Sequence, residues 1–467
     1  MDAKLLVGGT IVSSTGKIRA DVLIENGKVA AVGMLDAATP DTVERVDCDG
    51  KYVMPGGIDV HTHIDSPLMG TTTADDFVSG TIAAATGGTT TIVDFGQQLA
   101  GKNLLESADA HHKKAQGKSV IDYGFHMCVT NLYDNFDSHM AELTQDGISS
   151  FKVFMAYRGS LMINDGELFD ILKGVGSSGA KLCVHAENGD VIDRIAADLY
   201  AQGKTGPGTH EIARPPESEV EAVSRAIKIS RMAEVPLYFV HLSTQGAVEE
   251  VAAAQMTGWP ISAETCTHYL SLSRDIYDQP GFEPAKAVLT PPLRTQEHQD
   301  ALWRGINTGA LSVVSSDHCP FCFEEKQRMG ADDFRQIPNG GPGVEHRMLV
   351  MYETGVAEGK MTIEKFVEVT AENPAKQFDM YPKKGTIAPG SDADIIVVDP
   401  NGTTLISADT QKQNMDYTLF EGFKIRCSID QVFSRGDLIS VKGEYVGTRG
   451  RGEFIKRSAW SHPQFEK

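Results

Sequence analysis

The chain begins with short apolar runs broken by turn residues, and its rhythm then changes twice. KLLVGGTIVSS and DVLIENGKVAAVG place Val, Ile and Leu in short runs bounded by glycine. Asn26-Gly27 between two such runs is a strong hairpin signal, because a type I′ turn needs φ > 0 at both central positions. Residues 1–54 are therefore predicted to form a small β-rich unit. From Tyr52 onward short apolar strands alternate with longer segments. The strand candidates are GIDVH, TTTIVDF, DYGFHMCV, SFKVFMA, KLCVHAE, PLYFVHL, PISAETC and LSVVSSD. Between them, LFDILKGVGSSG and EVEAVSRAIKISRMAE space their apolar residues near the helical period of 3.6. This α/β alternation over residues 55–381 predicts a (β/α)₈ TIM barrel with insertions. After about Pro382 the pattern is β-like again, from GTIAPGSDADIIVVDP to Phe454. The economical arrangement packs 1–54 and 382–457 together as one β-sandwich beside the barrel. Limited proteolysis that released a stable N-terminal fragment alone would contradict it.

Composition narrows the function classes. The chain has 467 residues, 41% of them hydrophobic, and a net charge of -20. That charge argues against non-specific binding to nucleic acid or acidic membranes. No apolar run reaches membrane-spanning length and no signal peptide is read at Met1, so a soluble, cytoplasmic protein is expected. The seven cysteines are scattered through apolar stretches, as reduced thiols would be. WSHPQFEK at Trp460–Lys467 resembles a streptavidin-binding affinity tag, with Ser458-Ala459 as its linker. Residues 458–467, His462 included, are set aside.

The chemistry lies at the strand ends. His61 and His63 close GIDVH-T-H, His185 closes KLCVH, His241 closes PLYFVH, and Asp317 closes LSVVSSD. In a (β/α)₈ barrel the C-terminal strand ends face the active site, so these side chains would converge on one mouth. Residues i and i+2 of a strand share a face, which lets His61 and His63 bind one ion. Imidazole with carboxylate suits a borderline cation such as Zn²⁺. Lys152 sits in SFKVFMAYRG, inside a run that reads as a buried strand. A buried ammonium is expensive, so the side chain either snorkels, or meets a carboxylate, or is chemically changed. Between two cations in a dry pocket the amine would be neutral and able to take up CO₂ as a carbamate, which has two oxygens to bridge two metals.

The motifs VMPGGIDVHTH, FKVFMAYRG, VHAEN, VHLST, LTPPLR, SSDHCPF and NGGPGVE together resemble the dihydropyrimidinase/D-hydantoinase group of cyclic amidohydrolases, from Met1 to about Lys456. The resemblance implies a distorted barrel with an appended β-sandwich, two Zn²⁺ per subunit and a homotetramer, with dimers known in the wider group. It implies that His61, His63 and Asp317 hold one metal and His185 and His241 the other. Lys152, as N6-carboxylysine, and a hydroxide would bridge them. The hydroxide would attack a ring carbonyl and open the cyclic amide to an N-carbamoyl amino acid. Asp317 would shuttle the proton to the leaving nitrogen, and Tyr157 would stabilise the oxyanion. Thr290 and Asn339 would hold the substrate amide through backbone groups. Many relatives have Ser where this chain has Thr290, a change that matters only if the hydroxyl makes the contact. Leu68, Phe154 and Leu161 would face the exocyclic substituent, although core packing explains Phe154 equally well.

Other signals are weaker. Cys319-Pro-Phe-Cys322 lacks both the βαβ context of a redox motif and the second C-x-x-C of a zinc ribbon. The glycines of Asn339–Gly343 do not form G-x-G-x-x-G and read as a tight active-site loop. His111-His112 reads as a solvated helix surface, and His126 and His268 as structural or supporting groups. Dihydroorotase is the nearest rival activity, but Asp65 stands where the resemblance would require its carboxylate-binding Arg. Allantoinase fits the YRG and SSDHCPF context less well. A non-enzymatic scaffold of the same fold would have lost ligands, and all six are intact here.

Overall fold

The structure is a computed structural model that describes residues 3–459. The tag-like segment 460–467 lies outside the described residues. Eight parallel strands follow one another around a barrel: β1 (Gly57–Thr62), β2 (Thr89–Gly96), β3 (Asp122–Cys128), β4 (Ser150–Phe154), β5 (Lys181–His185), β6 (Leu237–Phe239), β7 (Ser262–Cys266) and β8 (Val313–Ser315). Each coincides with one of the segments expected from the apolar runs, β1 and β2 running one residue beyond theirs. The ring closes beyond β8, where Thr62 pairs in parallel with His318 and the His63 N–H donates to the His318 carbonyl at 2.8 Å. Almost every strand residue is buried, as expected when helices cover one face and side chains fill the interior.

The helices follow their sequence signals. Asn164 caps Asp165–Ser178, and Glu167 reaches back to complete a capping box. The helix ends at Gly179 with φ 70°, a left-handed stop. Its inward stripe is Leu168, Ile171, Leu172 and Val175, at spacings of 3, 1 and 3, and each buried side chain contributes about 1.5–3 kcal/mol of hydrophobic stabilisation. Pro216–Ala233 starts with proline in its first turn and covers the second segment predicted to be helical up to its last residue, Glu234, which is the left-handed C-cap. No helix among the described residues is long and apolar enough to cross a membrane.

Both chain ends build the appended unit. A four-stranded sheet comes from residues 4–47. A seven-stranded sheet joins Thr10–Ser13, Gly16–Arg19 and Tyr52–Pro55 to four strands between Ile395 and Tyr445. Ile395–Asp399 pairs antiparallel with Tyr52–Pro55, so the two ends meet strand to strand. Leu6, Val22 and Ile24 of the first sheet pack with Ile395, Val397 and Phe433 of the second. Asn26 and Gly27 turn the predicted hairpin, with φ of 53° and 77°. All seven cysteines are free thiols.

His111 differs from its expected surface position. It belongs to the buried stripe Leu104, Ser107, Ala108, His111 and Ala115 of the helix Leu104–Ala115, where helical period outweighs the polar look of the segment. Its Nε2 lies 2.9 Å from Asp94 on β2. The same carboxylate accepts from Thr62 Oγ1 at 2.5 Å and from the Ile64 N–H at 2.9 Å, which fixes the exit of β1. His112 is half-buried with its ring edge-on to Phe125 and Phe454.

Candidate metal centre

The six strand-end side chains come together at the C-terminal mouth of the barrel. Asp317 Oδ1 lies 3.1 Å from His61 Nε2 and 3.5 Å from His63 Nε2. Lys152 Nζ is 3.0 Å from His61 Nε2. His185 Nδ1 faces His241 Nε2 at 2.9 Å, and the rings of His241 and His61 are 5.3 Å apart. The lysine neither snorkels nor meets a carboxylate among the described residues. It is 1% exposed, and its amine lies 4.2 Å from the centroid of the Phe95 ring.

The fold strains its backbone to bring these groups together. Tyr157, His241 and Asp317 all adopt left-handed φ, at 68°, 41° and 49°. Such a conformation costs about 1–3 kcal/mol per non-glycine residue and is retained where the surroundings hold it. Outer carboxylates then decide which nitrogen of each ring is free. His61 Nδ1 contacts Glu264, which is fixed by Tyr238 OH at 2.9 Å and Ser315 Oγ at 2.7 Å. His185 Nε2 bonds Glu187 at 2.8 Å, and Arg214 holds that carboxylate at 2.8 Å. With these protons committed outward, His61 Nε2 and His185 Nδ1 turn their lone pairs inward.

Electrostatics keep His63, His185 and His241 neutral and the acid ionised, whereas on His61 burial opposes the charge but Asp317 and Glu264 raise the imidazole above its ordinary value. Burial pushes His63 down to about 4, and burial with the neighbouring His185 holds His241 well below the usual imidazole range. Burial alone would raise Asp317, but the imidazoles of His61, His63 and His241 hold it well below the usual carboxylate range. Burial likewise opposes ionisation of Glu187, yet Arg214 and His185 bring it to about 2. Buried His63 Nδ1 and His241 Nδ1 have no hydrogen-bond partner among the described residues. Inward-facing imidazole nitrogens, an ionised carboxylate and an amine in one buried cluster are a donor set that fits divalent cations.

A cavity of about 50 Å³ opens on this cluster. His61 contacts Lys152 and Asp317, and these two with His63, His185 and His241 line the cavity. So do Tyr157, Thr290, Asn339, Leu68, Phe154 and Leu161. Thr290 and Asn339 flank the Tyr157 hydroxyl, and burial pushes that phenol up to about 12, so it stays a donor. Met69 and Cys319, which sequence reasoning did not place at the site, also line the cavity. Sequence reasoning also missed Glu187 and Glu264. Glu187 carried a usable signal, two residues after His185, whereas the partner of Glu264 is 203 residues away. His126 is structural, bonded to Ser150 Oγ at 2.6 Å and the Val60 carbonyl at 3.0 Å. His268 is buried and its ring packs on Tyr269. Asp65 is tied to Lys114 at 3.1 Å.

Residues 52–439 match the amidohydrolase family. The chain belongs to the amidohydrolase family. It is 46% identical to the D-hydantoinase of Streptomyces coelicolor over 97% of both chains. It is 43% identical to the D-hydantoinase of Geobacillus stearothermophilus, covering 98% of this chain and 97% of that one. The crystal structure of dihydropyrimidinase from Brevibacillus agri NCHU1002 superposes with a TM-score of 0.96 at 44% identity, covering 99% of this chain and 100% of that one. Within the amidohydrolase family this chain is a cyclic amidohydrolase of the hydantoinase/dihydropyrimidinase group, and membership implies a metal centre.

Proposed function

We propose that the enzyme opens 5-substituted hydantoins and 5,6-dihydropyrimidines to N-carbamoyl amino acids. For hydantoins we propose a preference for the D-enantiomer, because the similar enzymes carry that designation. The observation that carries the reading is the convergence of His61, His63, Lys152, His185, His241 and Asp317 beside a cavity that also holds Tyr157. His61, His63 and Asp317 would hold one zinc ion and His185 and His241 the other. Lys152, having added CO₂ and released a proton, would present its carbamate to both. When bound, the two cations supply Lewis acidity and make water acidic enough to ionise near neutral pH.

The chain's own residues do the rest. Asp317, ionised in the cluster, accepts the proton of the attacking water and delivers it to the leaving ring nitrogen. Tyr157 donates to the carbonyl oxygen as negative charge develops there. Backbone groups of Thr290 and Asn339 hold the ring amide in line, and Leu68, Phe154 and Leu161 receive the exocyclic substituent. We propose, as part of the same reading, a cytoplasmic homotetramer divided at 1–54, 55–381 and 382–457.

The test is hydrolysis of dihydrouracil and a 5-aryl hydantoin, side by side, before and after chelation. Chelator-sensitive turnover of either is expected, and the ratio ranks the substrates. Metal-loaded protein inactive on both would overturn the substrate class and point to allantoin or dihydroorotate.

A further inference from the structure

Lys326 is one of the largest fully buried side chains of the protein, and it lies outside the metal centre. It projects from the helix Phe323–Gly330, whose first N–H groups are capped by Asp416 at 2.8 and 3.3 Å. Its ammonium donates to three backbone carbonyls: Ala285 at 2.9 Å, Gly340 at 2.6 Å and Val288 at 3.4 Å. Three N–H donors thus meet three acceptors. Burial pushes the amine down to about 7, while the Asp416 carboxylate nearby favours the charged form.

The three carbonyls come from two segments of chain. Ala285 and Val288 lie just before Thr290, and Gly340 directly follows Asn339. The Gly340 N–H also donates to the Val288 carbonyl at 2.9 Å. Gly340 has φ 146°, and a side chain there would come within 2.3 Å of the Cys319 carbonyl, so this segment is pressed flat against the exit of β8. Carbonyl oxygens aimed at one point repel each other. A positive charge between them turns that repulsion into a joint.

We propose that Lys326 is a positioning residue whose buried ammonium pins the segment leading to Thr290 against the segment carrying Asn339, and so sets the gap in which the ring amide is held. This rests on the reading that Thr290 and Asn339 take the substrate amide. The ring amide is common to hydantoins and dihydropyrimidines, so loosening the joint weakens both substrates alike.

The experiment is steady-state kinetics of metal-loaded K326M and K326Q with dihydrouracil and 5-phenylhydantoin, alongside bound-metal analysis. K326M is expected to raise KM about tenfold or more, by a similar factor for both substrates, with kcat within about threefold and metal content unchanged. K326Q keeps two N–H donors and is expected to fall between K326M and wild type. A folded, metal-loaded K326M with the wild-type KM would overturn the proposal and leave Lys326 a stability residue. Failure of both variants to fold would overturn it too. Wild-type inactivity on both substrates would remove the substrate reading first, and the proposal with it.

Discussion

Two clusters in this protein are built from similar parts and end differently. At the barrel mouth, His61, His63 and Asp317 surround the amine of Lys152. Where barrel and sandwich meet, Asp122, Asp392 and Asp394 surround the amine of Lys384. In each triad the ligand-type atoms lie within 4.8 Å of one another, and each lysine is 1% exposed. At the junction, Lys384 Nζ lies 2.6 Å from Asp122, 2.6 Å from Asp394 and 2.9 Å from Asp392. Burial opposes its charge, but the three carboxylates raise its pKa above the ordinary lysine value. Lys28 and Arg435 add positive charge at 2.5 and 3.2 Å. The fold therefore supplies the cation that this cluster needs. At the mouth the donors are mostly neutral imidazoles, and Lys152 faces a nitrogen rather than a carboxylate. A crowd of ligand-type side chains marks a metal centre only where the chain has not already met its charge.

The comparison predicts opposite phenotypes for the two lysines. Lys152→Ala and Asp317→Ala should lower turnover at least about 10³-fold, the scale of losing acid–base and metal-centred chemistry, with the fold retained. Near-normal turnover in either would break the assignment of the mouth as the reactive cluster. Lys384→Met should instead lower stability by about 3–5 kcal/mol, because it removes the cation shared by three buried carboxylates and leaves only Lys28 on Asp392 and Arg435 on Asp122, while turnover per folded molecule stays close to wild type. Urea unfolding read against activity separates the two outcomes. The sign with pH follows from the raised pKa. A lysine stabilised in the folded state contributes in full below its unfolded value, near 10.5, and loses that contribution as pH rises through the higher folded value. The gap between wild type and Lys384→Met should therefore hold from about pH 7 to 10 and narrow above that range. A gap that closes already at neutral pH would show that Lys384 is not the charge that completes the junction.

What the sequence made legible was local. The apolar runs ending in His61, His185 and His241 announced the barrel and its mouth, because strand period and strand end are written within a few residues of each other. The hairpin at Asn26-Gly27 was legible for the same reason. What it hid depends on distant partners. Lys384 meets Asp122 across 262 residues, and Arg457 reaches back to the Phe125 carbonyl across 332. No window of sequence contains either pair. His111 lay within reach of local reasoning, since its place in the buried stripe of a helix of about three turns outranks its polarity, but the charged residues around it masked the period.

Glu264 sharpens the comparison at its finest point. It is fully buried, as Asp122 is nearly so, yet it meets a ring N–H where Asp122 meets an ammonium. Its work is to hold the proton on His61 Nδ1 and so keep Nε2 free. Glu264→Gln preserves shape and one acceptor oxygen but removes the charge that favours that tautomer. Metal affinity should fall about 10–100-fold, the range for losing an outer carboxylate partner of a ligating histidine. Turnover should recover when metal is supplied in excess, and the stability gap at Lys384 should be untouched. Competition against a chelator of known affinity measures the first effect, and activity against added metal measures the second. If affinity is unchanged, the Tyr238 and Ser315 hydroxyls are holding a packing group, and His61 is oriented by the strain of the barrel alone. If affinity falls and activity does not return with metal, Glu264 acts on the reaction itself, and the boundary between the metal cluster and its support has to be drawn one shell further out.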